Sequence, residues 1–252
     1  MRTRLLQTGH LSAATNMAID ETVLRRVASG EAPPTFRLYG WKPPAVSIGY
    51  FQSLVEEVDL EVCEDRGVDV VRRITGGGAV FHDAEVTYSA IVPQNWEAIP
   101  ESIPESYQFI CEGIVEGLKD LGIRAHFQGL NDIAVGGKKI SGNAQTRRKG
   151  VVLQHGTILI DVDPEKMFTL LRVPSEKTRK KLIKSAKERV TSLNEMLSKS
   201  MDFEDVVSAL AEGFEKSLRL EFDRTQLTEE EMSEADELAE KKYATRDWNF
   251  MR

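Results

Sequence analysis

The sequence predicts an α+β fold, a mixed or antiparallel sheet with flanking helices, and not a doubly wound parallel sheet. Three observations carry this expectation. Strand-like runs dominate the front of the chain, whereas helical, charged segments fill the stretch beyond Pro164. Residues 123–161 read as three successive strands. No internal repeat, low-complexity linker or composition break marks a second domain, so residues 1–252 are expected to form a single domain.

Taken in order, residues 13–28 space Met17, Val23, Leu24 and Val27 along one helical face, with Thr15 or Asn16 as candidate N-cap and Gly30 as the stop. TFRLYG and AVSIGY then read as short strands parted by WKPP, because Pro43 and Pro44 cannot sit in a central ladder. A helix near 59–66 leads to the strand VDVVRR, a glycine run, and the strand EVTYSAIVP. Residues 104–121 place Tyr107, Ile110, Cys111, Ile114, Leu118 and Leu121 on one face, which makes Cys111 a core residue. IRAHF, NDIAVGGKKISGNA with a glycine pair in its middle, and VVLQHGTILIDV follow as strands. Helical spacing recurs at 164–171, 175–185, 203–218 and 228–241.

With 41% hydrophobic residues the chain can bury a sizeable core. A net charge of −7 disfavours nucleic acid as a partner, although RR at 72–73, KK at 138–139 and RRK at 147–149 concentrate positive charge in the middle third. The apolar stretch behind Arg4 is broken by Gln7, Thr8 and Gly9, and no run is long enough to span a membrane, so a cytoplasmic protein is expected. Cys63 and Cys111 lie far apart, and the four histidines show no zinc-ligand spacing.

Three segments depart from what packing requires. In RRITGGGAVFHD, Gly76, Gly77 and Gly78 can turn backbone N–H groups toward a ligand, with Arg72 or Arg73 as a fork for a carboxylate or phosphate; a tight turn between strands explains the same residues. GGKKISGNA spaces Gly137 and Gly142 as a phosphate loop does, but Asn143 and Ala144 stand where that motif demands Lys and Ser or Thr, so the motif fails. Strand alternation sends Lys138 and Lys139 to opposite faces, leaving one free to point inward, although two solvated lysines at a hairpin tip explain the pair and are favoured by the residues alone. Asp132 is either a turn residue or a carboxylate for a nucleotide-borne Mg²⁺, and His155 reads by default as a core or rim histidine.

RRITGGGAVFHD, NDIAVGGKKISGNAQ and QHGTILIDVD, in this order, resemble the lipoate-protein ligase family. The resemblance extends from NMAIDE to the closing KKYATRDWNF. It implies a catalytic domain like that of biotin-protein ligases and class II aminoacyl-tRNA synthetases. It also implies a ligand-binding set of Arg72, Arg73, Gly76, Gly77, Gly78, Ala79, Val80, Phe81 and His82, joined by Gly142, Asn143, Ala144, His155 and Thr157. Lys139 falls at the family's catalytic lysine, holding the ligand carboxylate against the α-phosphate, with Asp132 near Mg²⁺ and Lys138 solvated. The implied reaction uses ATP to turn lipoate into lipoyl-AMP and passes the lipoyl group to a lysine of an apo lipoyl domain or the glycine cleavage H protein. The chain stops at Arg252, where family members continue into a small C-terminal domain, so a separate accessory subunit is expected.

Octanoyl transfer from acyl carrier protein is the nearest rival, since octanoyltransferases share the fold and motifs like SGNAQTRRKGVVLQHG. Those enzymes carry the acyl group on a cysteine, and neither Val152 nor HFQGLND supplies one, which argues for the ligase. Biotin ligation lacks its G-R-G-R run, and Lys139 speaks against a non-catalytic lipoyl-binding protein.

Overall fold

A computed structural model describes residues 3–252. Its strands are β1 (Thr3–Leu11), β2 (Thr35–Trp41), β3 (Ala45–Ile48), β4 (Asp69–Arg72), β5 (Val80–His82), β6 (Glu85–Pro93), β7 (His126–Gln128), β8 (Asp132–Val135), β9 (Lys138–Arg148), β10 (Val151–Leu159) and β11 (Phe222–Thr225). Eight form the main sheet in the order β11-β1-β2-β6-β10-β9-β8-β7, and β4-β3-β5 form a second, smaller sheet. The main sheet is mixed: β1 pairs in parallel with β2 and β11, and its other ladders are antiparallel. The α+β reading therefore holds.

The parallel step from β1 to β2 needs a crossover, and α1 (Ala13–Ser29) supplies it. Its N-cap is Ser12, whose hydroxyl accepts from the Thr15 amide, not Thr15 or Asn16 as the spacing suggests. Asn16 is instead buried, its amide donating to the Leu11 and Gly40 carbonyls. Gly30 ends the helix at φ 79°.

Period-two alternation splits the main sheet between two cores. Leu5, Phe36, Leu38, Tyr88 and Val152 face α4 (Ile103–Asp120) and α8 (Phe203–Leu218). Leu6, Tyr39, Trp41, Ile91 and Leu153 face α1 and α9 (Glu229–Leu238), which runs on into a π-helical turn at Ala239–Tyr243. A third cluster under the small sheet joins Val46, Ile48 and Cys63 to Leu54 of α2 (Leu54–Glu57), flanked by α3 (Leu60–Asp65), and to Leu170 of α5 (Pro164–Leu170).

Beyond α5 comes α6 (Glu176–Arg189), with seven basic and two acidic residues and no buried one. Its end is tied to the main sheet, since the Thr191 amide donates 2.9 Å to the Lys139 carbonyl. Two short helices, α7 (Leu193–Leu197) and α10 (Arg246–Asn249), complete the described elements. Among the described residues no helix is long and apolar enough to cross a membrane.

Candidate active site

Between β4 and β5 the glycine run folds back over the small sheet. Gly77 adopts φ +96°, and a Cβ there would sit 2.8 Å from Arg73 Nη2, so a side chain is excluded on both counts. Arg73 holds the loop shut: Nη2 donates to the carbonyls of Gly76 (2.8 Å) and Gly78 (2.7 Å), and Nη1 to Ser47 O (3.1 Å) and Oγ (3.0 Å). Burial pushes the Arg73 guanidinium down to about 10, which still leaves it charged at neutral pH. Arg72 does not serve as the expected ligand fork. Its guanidinium is spent on five backbone carbonyls, those of Gly49, Tyr50, Gln52, Trp248 and Asn249.

The second segment is a hairpin. Gly136 and Gly137, both at positive φ, form the two-residue link between β8 and β9. The two lysines part as alternation requires. Lys138 Nζ pairs with Glu195 at 2.8 Å, whereas Lys139 Nζ lies 2.7 Å from Asp132 Oδ1 and faces a cavity. Lys139 lies across Gly142, where a Cβ would stand 2.6 Å from Nζ.

That cavity encloses about 440 Å³ between the small sheet and the β9–β10 ladder. Met17, Trp41, Val80, Phe81, Leu159 and Met167 give it apolar walls, and Arg73 and Lys139 supply its cations. Gly77, Gly78, Ala79, His82, Asn143, Ala144, His155 and Thr157 also reach it; Arg72, Gly76 and Asp132 do not. Ala186 and Val190, at the end of α6, close the roof.

Two buried polar chains border this space. In one, His155 Nε2 meets Thr75 Oγ1 at 2.6 Å and Nδ1 meets Asp20 Oδ2 at 3.4 Å. Asp20 also accepts from Arg37 and Ser89, each at 2.9 Å. Burial works against the Asp20 charge, but His155 and Arg37 outweigh it and its pKa is lowered; burial likewise lowers His155, against the pull of Asp20. In the other chain Ser47 Oγ is 2.8 Å from His82 Nε2, and His82 Nδ1 is 2.7 Å from Glu85 Oε1. The His82 ring stacks on Trp41 at 4.0 Å. Asp20, Ser47, Thr75 and Glu85 were not singled out by sequence; each sits in an ordinary-looking helix, strand or turn, and only folding brings it to a histidine.

Neither cysteine approaches the cavity. Cys63 belongs to the core beneath the small sheet and Cys111 to that beneath α4. Burial pushes the Cys63 thiol up to about 11, with Asp59 adding to it, and the Cys111 thiol up to about 12.

A glycine loop clamped by a buried arginine, a lysine on an adjoining hairpin and a chamber with apolar walls between two sheets together make up the candidate site. The chain belongs to the lipoyl protein ligase A/B catalytic domain family, which it matches over residues 12–215, and it is an enzyme of the lipoate ligase and octanoyltransferase group. It is 44% identical to octanoyltransferase LipM of Kyrpidia tusciae, with 99% of this chain and 98% of that protein covered. It is 37% identical to octanoyltransferase LipM of Bacillus subtilis at the same coverage. Among solved structures it resembles a chain of the bi-partite lipoate protein ligase system of Thermoplasma acidophilum, at 34% identity, TM-score 0.88, and 99% and 96% coverage of the two chains.

These relatives correct the functional expectation. Full-length relatives at 37–44% identity are octanoyltransferases, so ATP-dependent activation of lipoate gives way, and with it ATP, Mg²⁺, lipoate as substrate and the acyl-adenylate. The absence of a cysteine at Val152 and in HFQGLND does not place the chain on the ligase branch. Asp132, assigned to Mg²⁺ by the resemblance, is engaged with Lys139 instead.

Proposed function

We propose that this protein is an octanoyltransferase that moves an octanoyl group from the thioester of an acyl carrier protein to a lysine of an apo lipoyl domain or glycine cleavage H protein, in the cytosol. The observation that carries the reading is the chamber of about 440 Å³, apolar along its length and cationic at Arg73 and Lys139, in a chain whose full-length relatives are octanoyltransferases. Each buried methylene contributes about 0.8 kcal/mol, so six more of them favour octanoyl over acetyl by about 5 kcal/mol. Lys139 supplies positive charge where the thioester carbonyl becomes an oxyanion and where the thiolate departs. A thioester is already an activated acyl donor, so no adenylating accessory subunit is called for.

The test is the intact mass of an apo lipoyl domain after incubation with the protein and octanoyl carrier protein without ATP. An octanoyl gain is expected. A gain that appears only with free octanoate or lipoate plus Mg-ATP overturns the reading.

A further inference from the structure

We propose that Ser47 is the acyl-carrying nucleophile of this transfer, with His82 as its base and Glu85 as the carboxylate that orients His82. The inference rests on the acyl-transfer reading and adds the atom that takes the acyl group. Transfer from one protein to another through a covalent intermediate needs a nucleophile in the chamber, and the chain's two cysteines are both elsewhere.

Ser47, His82 and Glu85 all line the chamber and all are buried. Their contacts run in the order hydroxyl, imidazole, carboxylate at 2.8 and 2.7 Å, the spacing of a nucleophile, its base and the group that orients the base. Partner chemistry assigns the hydrogens. Glu85 Oε1 receives Nδ1–H, which leaves Nε2 to accept the Ser47 proton. Arg73 Nη1 donates to the same Ser47 oxygen at 3.0 Å, so charge left on Oγ by the departing proton meets a buried cation. Ser47 is held on the central strand of the small sheet, paired to both β4 and β5, and His82 is fixed by its stack on Trp41.

Glu85 Oε2 supports the assignment. It is buried and accepts no hydrogen bond from the described residues, while Oε1 takes both His82 and Thr87. An unpartnered carboxylate oxygen is costly in the resting enzyme, and it gains a counter-charge when the neighbouring imidazole takes up a proton. The rival chain Thr75–His155–Asp20 has the same order of groups, but Thr75, unlike Ser47, does not reach the chamber.

The chemistry balances without a co-reactant. Ser47 Oγ attacks the thioester carbonyl as its proton passes to His82 Nε2; the C–O bond forms, the C–S bond breaks, and His82 returns the proton to the leaving thiolate. The neutral acceptor amine then attacks the serine ester. The C–N bond forms, His82 takes the amine proton and hands it to Ser47 Oγ, and the C–O bond breaks.

The test incubates the whole protein with octanoyl carrier protein and no acceptor, quenches in acid, and reads intact mass and peptide map. One octanoyl group on the peptide containing Ser47 is expected. Ser47→Ala should lose the adduct and about 10³-fold or more in transfer while remaining folded, since Arg73 keeps its bonds to the carbonyls of Ser47, Gly76 and Gly78. Ser47→Cys should regain both, now as a thioester cleaved by neutral hydroxylamine. Glu85→Gln, a change at a positioning residue, should shift the pH profile of adduct formation. Turnover from the thioester with no adduct, an adduct on another residue, or full activity in Ser47→Ala overturns the Ser47 assignment and leaves the acyl-transfer reading standing. If the wild-type protein acylates the lipoyl domain only with Mg-ATP, both fall together.

Discussion

Lys139 and Gly142 act as a pair. The lysine lies over a residue without a side chain, so Gly142→Ala should push Nζ away from Asp132 and lower kcat/KM about tenfold with little change in melting temperature. Lys139→Ala should abolish transfer with the fold intact, and Lys138→Ala, whose partner is the surface carboxylate of Glu195, should leave the rate near wild type. Equal losses at the two lysines would place the wrong one in the chamber. Alternation along a strand is enough to separate them in the sequence, because its period is two and only one parity can face in. The contacts of Ser47 with His82 and of Asp20 with His155 were not legible, since they bridge sequence separations of 35 and 135, and Glu85, only three positions from His82, sits in an ordinary-looking strand.

At the scale of elements, α4 and α8 cross at glycines. A Cβ on Gly213 would collide with the Gly113 carbonyl and the Gly117 amide, and one on Gly113 with the Phe214 ring. Gly213→Ala should therefore cost about 2–3 kcal/mol, read as a drop in the urea midpoint without loss of slope. Periodicity made both helices legible, since their apolar faces repeat over four or more turns. It did not reveal β1, where Gln7, Thr8 and Gly9 break the run: Gly9 sits at a register shift between Gln7 and His10, so the interruption is a bulge and not an end. β11 and α7 escaped for want of length, at four and five residues. Of IRAHF only His126 and Phe127 are strand, which runs on to Gln128 as a three-residue edge strand held on one side only.

For the molecule as a whole, the buried groups that couple its layers set an acid limit. Asp20 and His155, from α1 and β10, both have folded pKa values below their ordinary ones of 3.8 and 6.5. The unfolded chain then binds more protons than the folded one, so stability is present above pH 6.5 and declines first as His155 and then as Asp20 is protonated. The melting temperature should fall as pH drops from 7 to 5, and a His155→Gln variant should show a flatter profile over that interval; parallel profiles would remove His155 as the cause.

The roof helix α6 gives the protein a sense of direction. Its seven bases and two acids carry +5 on a chain of −7, and by the pitch of a helix Lys177, Lys180, Lys181, Lys184 and Lys187 fall within about 120° of its circumference. Ala186 and Val190, on the other side, touch the chamber. The face above the chamber thus carries a local excess of positive charge, reduced where Lys187 pairs with Glu165, and that field favours the approach of an anionic protein. The capture rate of such a donor should fall steeply between low and physiological salt, while that of a small uncharged thioester stays level.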